Sequence, residues 1–514
     1  MKEEIINYLS KMHDAQTLIQ INDALNLHSA IELKDLQKAL DALIEENKVY
    51  KTKKEKYLLL ENCEYLKCGK LSINKAGNGF LLLDGDDLYI DYKNLNDAVN
   101  GDEVIAELIK SKGKTEGRVI KILKRNTKNI IGEYSIRKNK PILILDDEKC
   151  KLLIDLDPNT TKDCVLGTKV LVNLEKELAP NHYIGKVVKI IGHKDDPGVD
   201  IKTIAYKYGI FEEFSKESEK QTEELPIMVE EKELAGRKDL TNEVIFTIDG
   251  DDTKDIDDAV SISAENNLYT LGVHIADVSH YVTKDSPLDK DAFTRGTSSY
   301  LAYSVIPMLP HKLSNGICSL NEGVVRLTIS CVMQINAKGD VVNYDIFPSY
   351  IKSCKKMTYK KVNDILMRDT YDEEYAPYVS RLKLMNELAH ILRKNKERRG
   401  YIDFSIEEPK IICDKNGKCI DVVTYDREDG EKLIEDFMIA ANETVASHLY
   451  NMDLPSIYRV HGTPKAEKID SFINLVSLSG YKLSGNFKNF TPTSMQKILA
   501  QLENVPNHQI FASL

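Results

Sequence analysis

Six aspartates fall within the ten positions from Asp249 to Asp258, and apolar residues flank them on both sides, Val244-Ile245-Phe246-Thr247-Ile248 before and Ala259-Val260 after. A β-branched, aromatic-containing strand therefore runs into an acidic loop, and a second strand begins at about Ala259. Crowded carboxylates raise one another's pKa and resist joint ionisation unless cations neutralise them. A solvated turn is the ordinary fate of an acidic run. Here strands on both sides draw the aspartates towards a core. An EF-hand register fails, because counting from Asp249 puts Lys254 where glycine is required and Val260 where a bidentate glutamate is required. Oxygen-only ligands point to a hard cation, Mg2+ or Mn2+. Two such ions held roughly 3.5–4 Å apart clamp a phosphodiester, one activating water and the other stabilising the leaving oxygen. Hydrolysis of nucleic acid is the leading chemistry, and the absence of a Walker-type phosphate loop disfavours an NTP-driven motor.

The 514 residues imply about three to five domains, and 42% hydrophobic residues exclude a disordered chain. Nine cysteines at scattered spacing, without a CxxC pair, read as reduced thiols. Residues 1–14 mix charges with apolar side chains, and no stretch reaches about 18 apolar residues, so neither a signal peptide nor a membrane span is expected. A cytosolic protein is the expectation. A net charge of −11 argues against coating nucleic acid through bulk positive potential. Local charge matters more: Lys110 to Lys128 holds eight cationic residues against Glu116 alone.

The pattern along the chain predicts a multidomain α+β protein. Residues 1–60 carry Ile5, Ile6, Leu9 and Met12, then Ile19, Ile21 and Leu25, then Leu36, Leu40, Leu43 and Ile44 at helical spacing, followed by two short extended runs around a lysine-rich turn at 49–58. A winged helix and a small helical docking domain fit this equally. Residues 61–128 read as a small barrel of short strands with glycine turns, in which Phe80, Tyr89 and Tyr92 offer ring faces for bases and the basic run tracks a backbone. Ordinary strand packing is the plainer account of each ring taken singly. Residues 129–193 read as a second barrel. Its Gly185-Lys186-Val187-Val188-Lys189-Ile190 echoes Gly117-Arg118-Val119-Ile120-Lys121-Ile122, which suggests a tandem pair. Residues 194–236 read as a connecting segment with some helix, ahead of the aspartate-bearing domain at 237–514.

The aspartate stretch, taken with Val273-His274-Ile275-Ala276-Asp277-Val278-Ser279-His280-Tyr281-Val282, resembles the signature of the ribonuclease II/ribonuclease R (RNB) family. Further matches follow in order: Arg295-Gly296-Thr297-Ser298-Ser299-Tyr300, Ile306 to Pro310, Leu313 to Asn321, Arg398 to Phe404, and Ile434 to Glu443. The resemblance implies a winged helix, two cold-shock-like OB barrels and an RNB catalytic domain. It implies a processive 3′→5′ exoribonuclease that hydrolyses single-stranded RNA to nucleoside 5′-monophosphates with Mg2+. Asp249, Asp255, Asp257 and Asp258 match the family's four catalytic, metal-holding aspartates, with Asp257 positioning the attacking water; Asp251 and Asp252 match no required carboxylate. Tyr300 and Phe404 match aromatics that stack on the RNA 3′ end, with Phe80 and Tyr89 as further RNA contacts. His274 and His280 read as structural. The expected partners are single-stranded RNA, then the ribosome or other RNA-decay proteins; no membrane is expected, and the chain is expected to be monomeric.

The resemblance also implies segments beyond Leu514, a Thr-Ser-Pro-Ile-Arg-Arg-Tyr type stretch whose arginine supports the scissile phosphate and a C-terminal OB fold. A truncated RNB domain that binds RNA with weak turnover or none is accordingly an alternative expectation. Gly462, where the family usually has Glu, is a smaller departure. A winged-helix DNA regulator is the last reading, opposed by the acidity and the paired barrels.

Overall fold

The computed structural model describes all residues except 13, 47, 53, 64, 75, 84, 97, 112, 126–129, 147–151, 180, 403–407, 415–416, 426, 461, 463, 484–490, 503–504, 506–509 and 512–514. The chain divides into two compact units, 1–209 and 210–514.

The first unit opens with α1 (Lys2–Leu9), β1 (Gln16–Thr17), α2 (Leu18–Ala24), α3 (Ala30–Glu45), β2 (Val49–Lys51) and β3 (Lys56–Leu59). Capping boxes start two of the helices, Thr17 with Gln20 on α2 and Ser29 with Glu32 on α3. The apolar stripes converge as the spacing predicts, with Ile5, Leu9, Ile21, Leu36, Leu40 and Leu43 sharing one buried core. The antiparallel sheet β1-β3-β2 completes this part of the unit, with β2 and β3 paired as a lysine-rich hairpin, an element order that fits the expected winged helix.

Two five-stranded units follow. The first comprises β4 (Leu66–Ile73), β5 (Gly79–Leu82), β6 (Leu88–Ile90), β7 (Glu103–Ser111) and β8 (Lys114–Lys124), in the order β6-β5-β4-β7-β8. The second comprises β9 (Ile130–Arg137), β10 (Lys140–Leu145), β11 (Leu153–Leu156), β12 (Thr168–Ala179) and β13 (His182–His193), closed into a barrel in the order β10-β11-β13-β12-β9. The echoed hexapeptides occupy the last strand of each. Their glycines do the same work: a Cβ on Gly117 would lie 2.8 Å from Ile90, and one on Gly185 would lie 2.5 Å from Val172 and 2.7 Å from Ile154. The first strands repeat the device, since a Cβ on Gly69 would strike the Leu82 carbonyl and one on Gly132 the Ile144 carbonyl.

The segment expected to connect the barrels to the aspartate-bearing domain is divided between the two units. Its first helix, α4 (Val199–Lys207), lies on the second barrel, where Lys189 sits 4.7 Å from the Tyr206 ring centre and Gly192 leaves room for Val199. Its second helix, α5 (Lys216–Glu224), belongs to the second unit, where Ser215 donates to Asp291 at 2.8 and 2.9 Å. The helical content predicted for 194–236 is present, but both helices are packed elements.

The second unit is built on β14 (Lys238–Asp239), β15 (Phe246–Asp249), β16 (Asp258–Glu265) and β17 (Leu268–Ala276), then α6 (Pro287–Arg295), a small hairpin β18 (Ser299–Tyr300) and β19 (Val305–Ile306), and the long β20 (Val325–Ile335) and β21 (Val341–Lys352). Next come β22 (Lys355–Thr358), α7 (Tyr359–Arg368), α8 (Val379–Arg398), a hairpin of β23 (Glu408–Cys413) and β24 (Cys419–Tyr425), α9 (Asp429–Asn451), α10 (Ala466–Leu478) and α11 (Pro492–Ala500). Seven strands form one mixed sheet, β14-β21-β20-β17-β16-β15-β22, with parallel pairing at each edge and antiparallel pairing within. Alternate residues Phe246, Ile248, Val260, Ile262, Leu271 and Val273 pack against α7, α8 and α9 through Val362, Leu388 and Phe437. Ile245, Ala259, Ala276 and Ile351 form a separate core with Ile256 and Leu320. No disulfide joins the described cysteines, and no described helix is long and apolar enough to cross a membrane.

Calorimetry on the full chain tests how tightly the strands approach at Gly185. Gly185→Ala forces Val172 and Ile154 apart, which costs about 1–3 kcal/mol and lowers the barrel's melting transition by roughly 4–8 °C per kcal/mol. Gly85→Ala, in open space with an ordinary backbone, serves as the control. Equal melting of both variants and the parent chain would show that strand approach at Gly185 is not tight.

Candidate active site

Strands β15 and β16 pair antiparallel at Phe246 and Val260. Asp249 is the last residue of one strand and Asp258 the first of the other, so the loop 250–257 springs from two carboxylate-bearing strand ends. Its shape follows from one apolar residue. Ile256 is fully buried in the core with Ile245, Ala259 and Leu320, so Asp255 and Asp257 are carried outward on either side of it. Ser319, itself fully buried, grips the same stretch: its Oγ accepts from the Ile256 amide at 3.1 Å and donates to the Lys254 carbonyl at 2.8 Å. The Leu320 amide adds a bond to the Ile256 carbonyl at 2.9 Å, and Ala276 donates to the Asp257 carbonyl at 2.9 Å. On the other side β22 runs parallel to β15, pairing Thr358 with Asp249; Thr358 also caps α7, so that helix begins beside the carboxylate.

The electrostatics reflect confinement. Burial, then the charge of Asp258, pushes the Asp249 carboxyl up to about 7. Burial, then Asp257, pushes Asp258 up to about 6. Asp257 presents its side chain to solvent, yet the protein at the base of the loop still raises its carboxyl, with Asp255 adding to the effect. Tyr359, at the start of α7, has its phenol raised by burial first and then by Asp249 and Asp258. Asp249 Oδ2 is buried and has no hydrogen-bond partner among the described residues. Asp251 and Asp252 lie exposed on the outer turn of the loop.

A buried, unpartnered carboxylate oxygen among carboxyls that resist ionisation is the donor chemistry a hard divalent cation suits. Asp249, Asp255, Asp257 and Asp258 therefore fit Mg2+ or Mn2+ in kind and in charge. Among the described residues, no three His, Cys, Asp or Glu side chains are gathered closely enough to hold an ion as they stand. The four aspartates share one field without forming a finished ligand shell.

Tyr300 stands at the rim. It pairs with Val305 in the small hairpin, 71% of the residue is exposed, and its hydroxyl donates to Asp255 Oδ2 at 3.3 Å. Phe404 lies outside the described residues. Phe80 and Tyr89 are cross-strand partners on the first barrel, edge to face with ring centres 5.6 Å apart, and Tyr92 beside them is exposed. The two histidines are built in as structural groups. His274 is buried, its Nε2 3.1 Å from Ser261 Oγ and its Nδ1 2.6 Å from Ser330 Oγ, and burial holds its pKa down at about 4. His280 lies 2.8 Å from Glu233. Gly462 is exposed, with open space where a side chain would be.

Sequence reasoning missed Lys356, Tyr359 and Ser319. Lys356, on β22, donates its ammonium to the Thr253 carbonyl at the turn of the aspartate loop and lowers the Asp249 carboxyl against the pull of burial. Ser319 lies inside a motif read as a family match, but its grip on the loop has no local signal. All three arrive through sheet register and core packing.

Two OB-type units ahead of a mixed sheet with carboxylates at its strand ends define a multidomain α+β protein of the barrel-plus-catalytic-domain kind. The chain matches the RNB domain over residues 237–514, the ribonuclease B OB domain over 69–122 and the cold shock domain over 142–215. It is 38% identical to ribonuclease R 1 of Lactococcus lactis over 544 residues, covering 100% of this chain and 66% of that protein. Identity to ribonuclease R of Thermotoga maritima is also 38%, over 481 residues, 92% of this chain and 67% of that one. The solved Mycoplasma genitalium RNase R in complex with ribose methylated single-stranded RNA aligns with a TM-score of 0.80 at 29% identity, over 87% of this chain and 72% of that chain. The chain belongs to the RNB family, among the proteins of ribonuclease R type. It spans about two thirds of the length of the curated relatives it matches.

The confinement has a measurable sign. Because Asp249 binds its proton more tightly folded than unfolded, its stabilising contribution is complete below about pH 4 and is lost as pH rises through about 7. In the absence of divalent ions, Asp249→Asn is therefore expected to gain stability over the parent chain at pH 8 relative to pH 4.5, by roughly 1–4 kcal/mol. Denaturant unfolding in chelator at both pH values measures it. A stability difference that does not change with pH removes the claim that this carboxylate is confined.

Proposed function

We propose that the chain is a 3′→5′ exoribonuclease that hydrolyses single-stranded RNA processively to nucleoside 5′-monophosphates in a Mg2+-dependent reaction, acting in cytoplasmic RNA turnover. The observation that carries this reading is the buried, unpartnered Asp249 oxygen set among Asp255, Asp257 and Asp258. Asp249, Asp255 and Asp258 hold the cation, which Mn2+ can replace. The chemistry supplied by the bound ion is Lewis-acid stabilisation of charge on the scissile phosphate. Asp257, exposed on the loop between two raised carboxyls, orients the attacking water and takes part in removing its proton.

Tyr300 grips the terminal base. Its exposed ring offers a face on which any base stacks, at about 1–3 kcal/mol, and its hydroxyl bond to Asp255 keeps that face beside the acid loop. Phe404 is the second stacking residue carried over from the resemblance. The Phe80–Tyr89 pair and the cationic residues of β7 and β8 serve as a sequence-independent RNA surface on the first barrel. The solved complexes of Mycoplasma genitalium RNase R, one with ribose methylated single-stranded RNA and one with double-stranded RNA, support RNA as the ligand class. Further contacts with the ribosome or RNA-decay proteins, and a monomeric state, belong to the same reading.

A 5′-labelled single-stranded RNA incubated with the chain and Mg2+ is expected to shorten from its 3′ end with release of monophosphates. Asp257→Asn is expected to cut turnover by about 10²-fold or more while leaving RNA affinity nearly unchanged. Internal cleavage products, or full turnover by the variant, would sink the assignment; tight RNA binding by the parent chain with no turnover would leave a binding protein in its place.

A further inference from the structure

Outside the four aspartates, the site's least explained residue is Lys356. Besides the Ala276 amide on the Asp257 carbonyl and the Tyr300 hydroxyl on Asp255, the loop 250–257 is held by the Ser319 hydroxyl on 254 and 256, the Leu320 amide on 256, and the Lys356 ammonium on the Thr253 carbonyl. The Ser319 and Leu320 contacts are neutral and come from one segment. Lys356 comes from β22, directly across from Thr247 in the parallel register, and its own amide is tied to Glu322 at 2.9 Å. Its neighbour Lys355 makes ion pairs with Glu374 at 2.9 Å and Glu322 at 3.8 Å. Lys356 makes no ion pair with a described carboxylate, so its charge is spent on a backbone carbonyl within the field of Asp249.

That arrangement is uneconomical for a surface lysine. Holding a flexible ammonium in one place costs side-chain entropy, and a neutral donor reaching Thr253 would close the turn without bringing a cation. We propose that Lys356 is a positioning residue: its ammonium pins the turn of the aspartate loop so that Asp249 and Asp255 stand ready for the divalent cation. The inference rests on the hydrolytic reading above and deepens it. Charge and geometry make opposite predictions. Deleting a positive charge from an acidic site, by itself, strengthens cation binding. Releasing a pinned loop weakens it, because the donors must then be ordered when the ion arrives. A loss of cation affinity on removing Lys356 can therefore come only from lost geometry.

The experiment uses the full chain with Lys356→Met, Lys356→Arg and Lys356→Ala, the last standing in should the methionine variant not fold. Mn2+ alone is titrated by electron paramagnetic resonance, and amide hydrogen exchange is followed at Thr253 and Ile256. Expected for Lys356→Met are a weakening of Mn2+ binding by about tenfold and exchange at Thr253 faster by about tenfold or more, with Ile256 still protected by Ser319. Lys356→Arg, which keeps charge and donor, restores most of both. Mn2+ binding as tight as or tighter than the parent chain's, or exchange that rises equally at Thr253 and Ile256, overturns the proposal, since the first leaves only a charge effect and the second only general loosening. Should the parent chain bind no Mn2+, the hydrolytic reading fails, and the exchange comparison alone still decides whether Lys356 pins the loop.

Discussion

Everything in the second unit answers to one electrostatic problem, the placement of like charges where water is scarce. Asp249 and Asp258 terminate adjacent strands, and the loop between them brings Asp255 and Asp257 to the same end of the sheet. Repulsion among them is resisted by apolar burial of Ile256 and by the Ser319 and Leu320 bonds to the loop backbone. Neither restraint touches a carboxylate. Asp249, Asp257 and Asp258 are left with raised proton affinity and, at Asp249, an unpaired buried oxygen, which is the state a cation relieves.

A loop so loaded needs a sheet that does not slip. A one-residue shift in register would send every side chain to the opposite face, so Ile245 and Ile248 would exchange cores and the aspartates would be displaced. A seam of polar groups across the central strands marks the register. Ser261 on β16 meets His274 on β17, His274 meets Ser330 on β20, and Ser330 meets Ser349 on β21 at 2.6 Å, which in turn bonds Thr328 at 2.7 Å. All but Ser261 are buried, and burial disfavours the charged imidazole, so the chain of bonds remains neutral beside an acidic centre. Gly272 has the same origin: a Cβ there would run into His274 and Ser261.

Much of this architecture was legible because it rests on short-range pattern. Helical spacing in residues 1–44 located three helices, and the lysine turn located the β2–β3 hairpin, since both depend on neighbours in sequence. The acidic cluster was legible for the same reason: its members lie within ten residues. The echoed hexapeptide held more information than its length suggested, because Gly117 and Gly185 each admit a close strand approach in the last strand of their five-stranded units. Long-range packing was not legible. Helix α4 looked like a linker because its charged residues gave no cue that Tyr206 would meet Lys189 and Val199 would fill the space above Gly192. Lys356 and Tyr359 lie about a hundred residues beyond the aspartates. Only the parallel pairing of β15 with β22 joins them to the site, and no local periodicity encodes which strand completes an edge.

The Tyr300 contact shows how the rim and the acid loop are mechanically joined. Its ring sits on a hairpin only two residues per strand, too small to hold a position unaided. The hydroxyl bond to Asp255 adds a restraint to those that Arg295 and Ser298 supply after the second strand, at the cost of using one carboxylate oxygen. Under the proposed hydrolysis the two demands compete, because Asp255 is also asked to face the cation. A carboxylate has two oxygens and about four acceptor sites, so one oxygen serves the phenol and the other remains for the ion. On the same proposal, binding energy gained by stacking on the ring is transmitted to a residue that holds the cation, and remote contacts raise rate only when they are coupled in this way to the transition-state geometry.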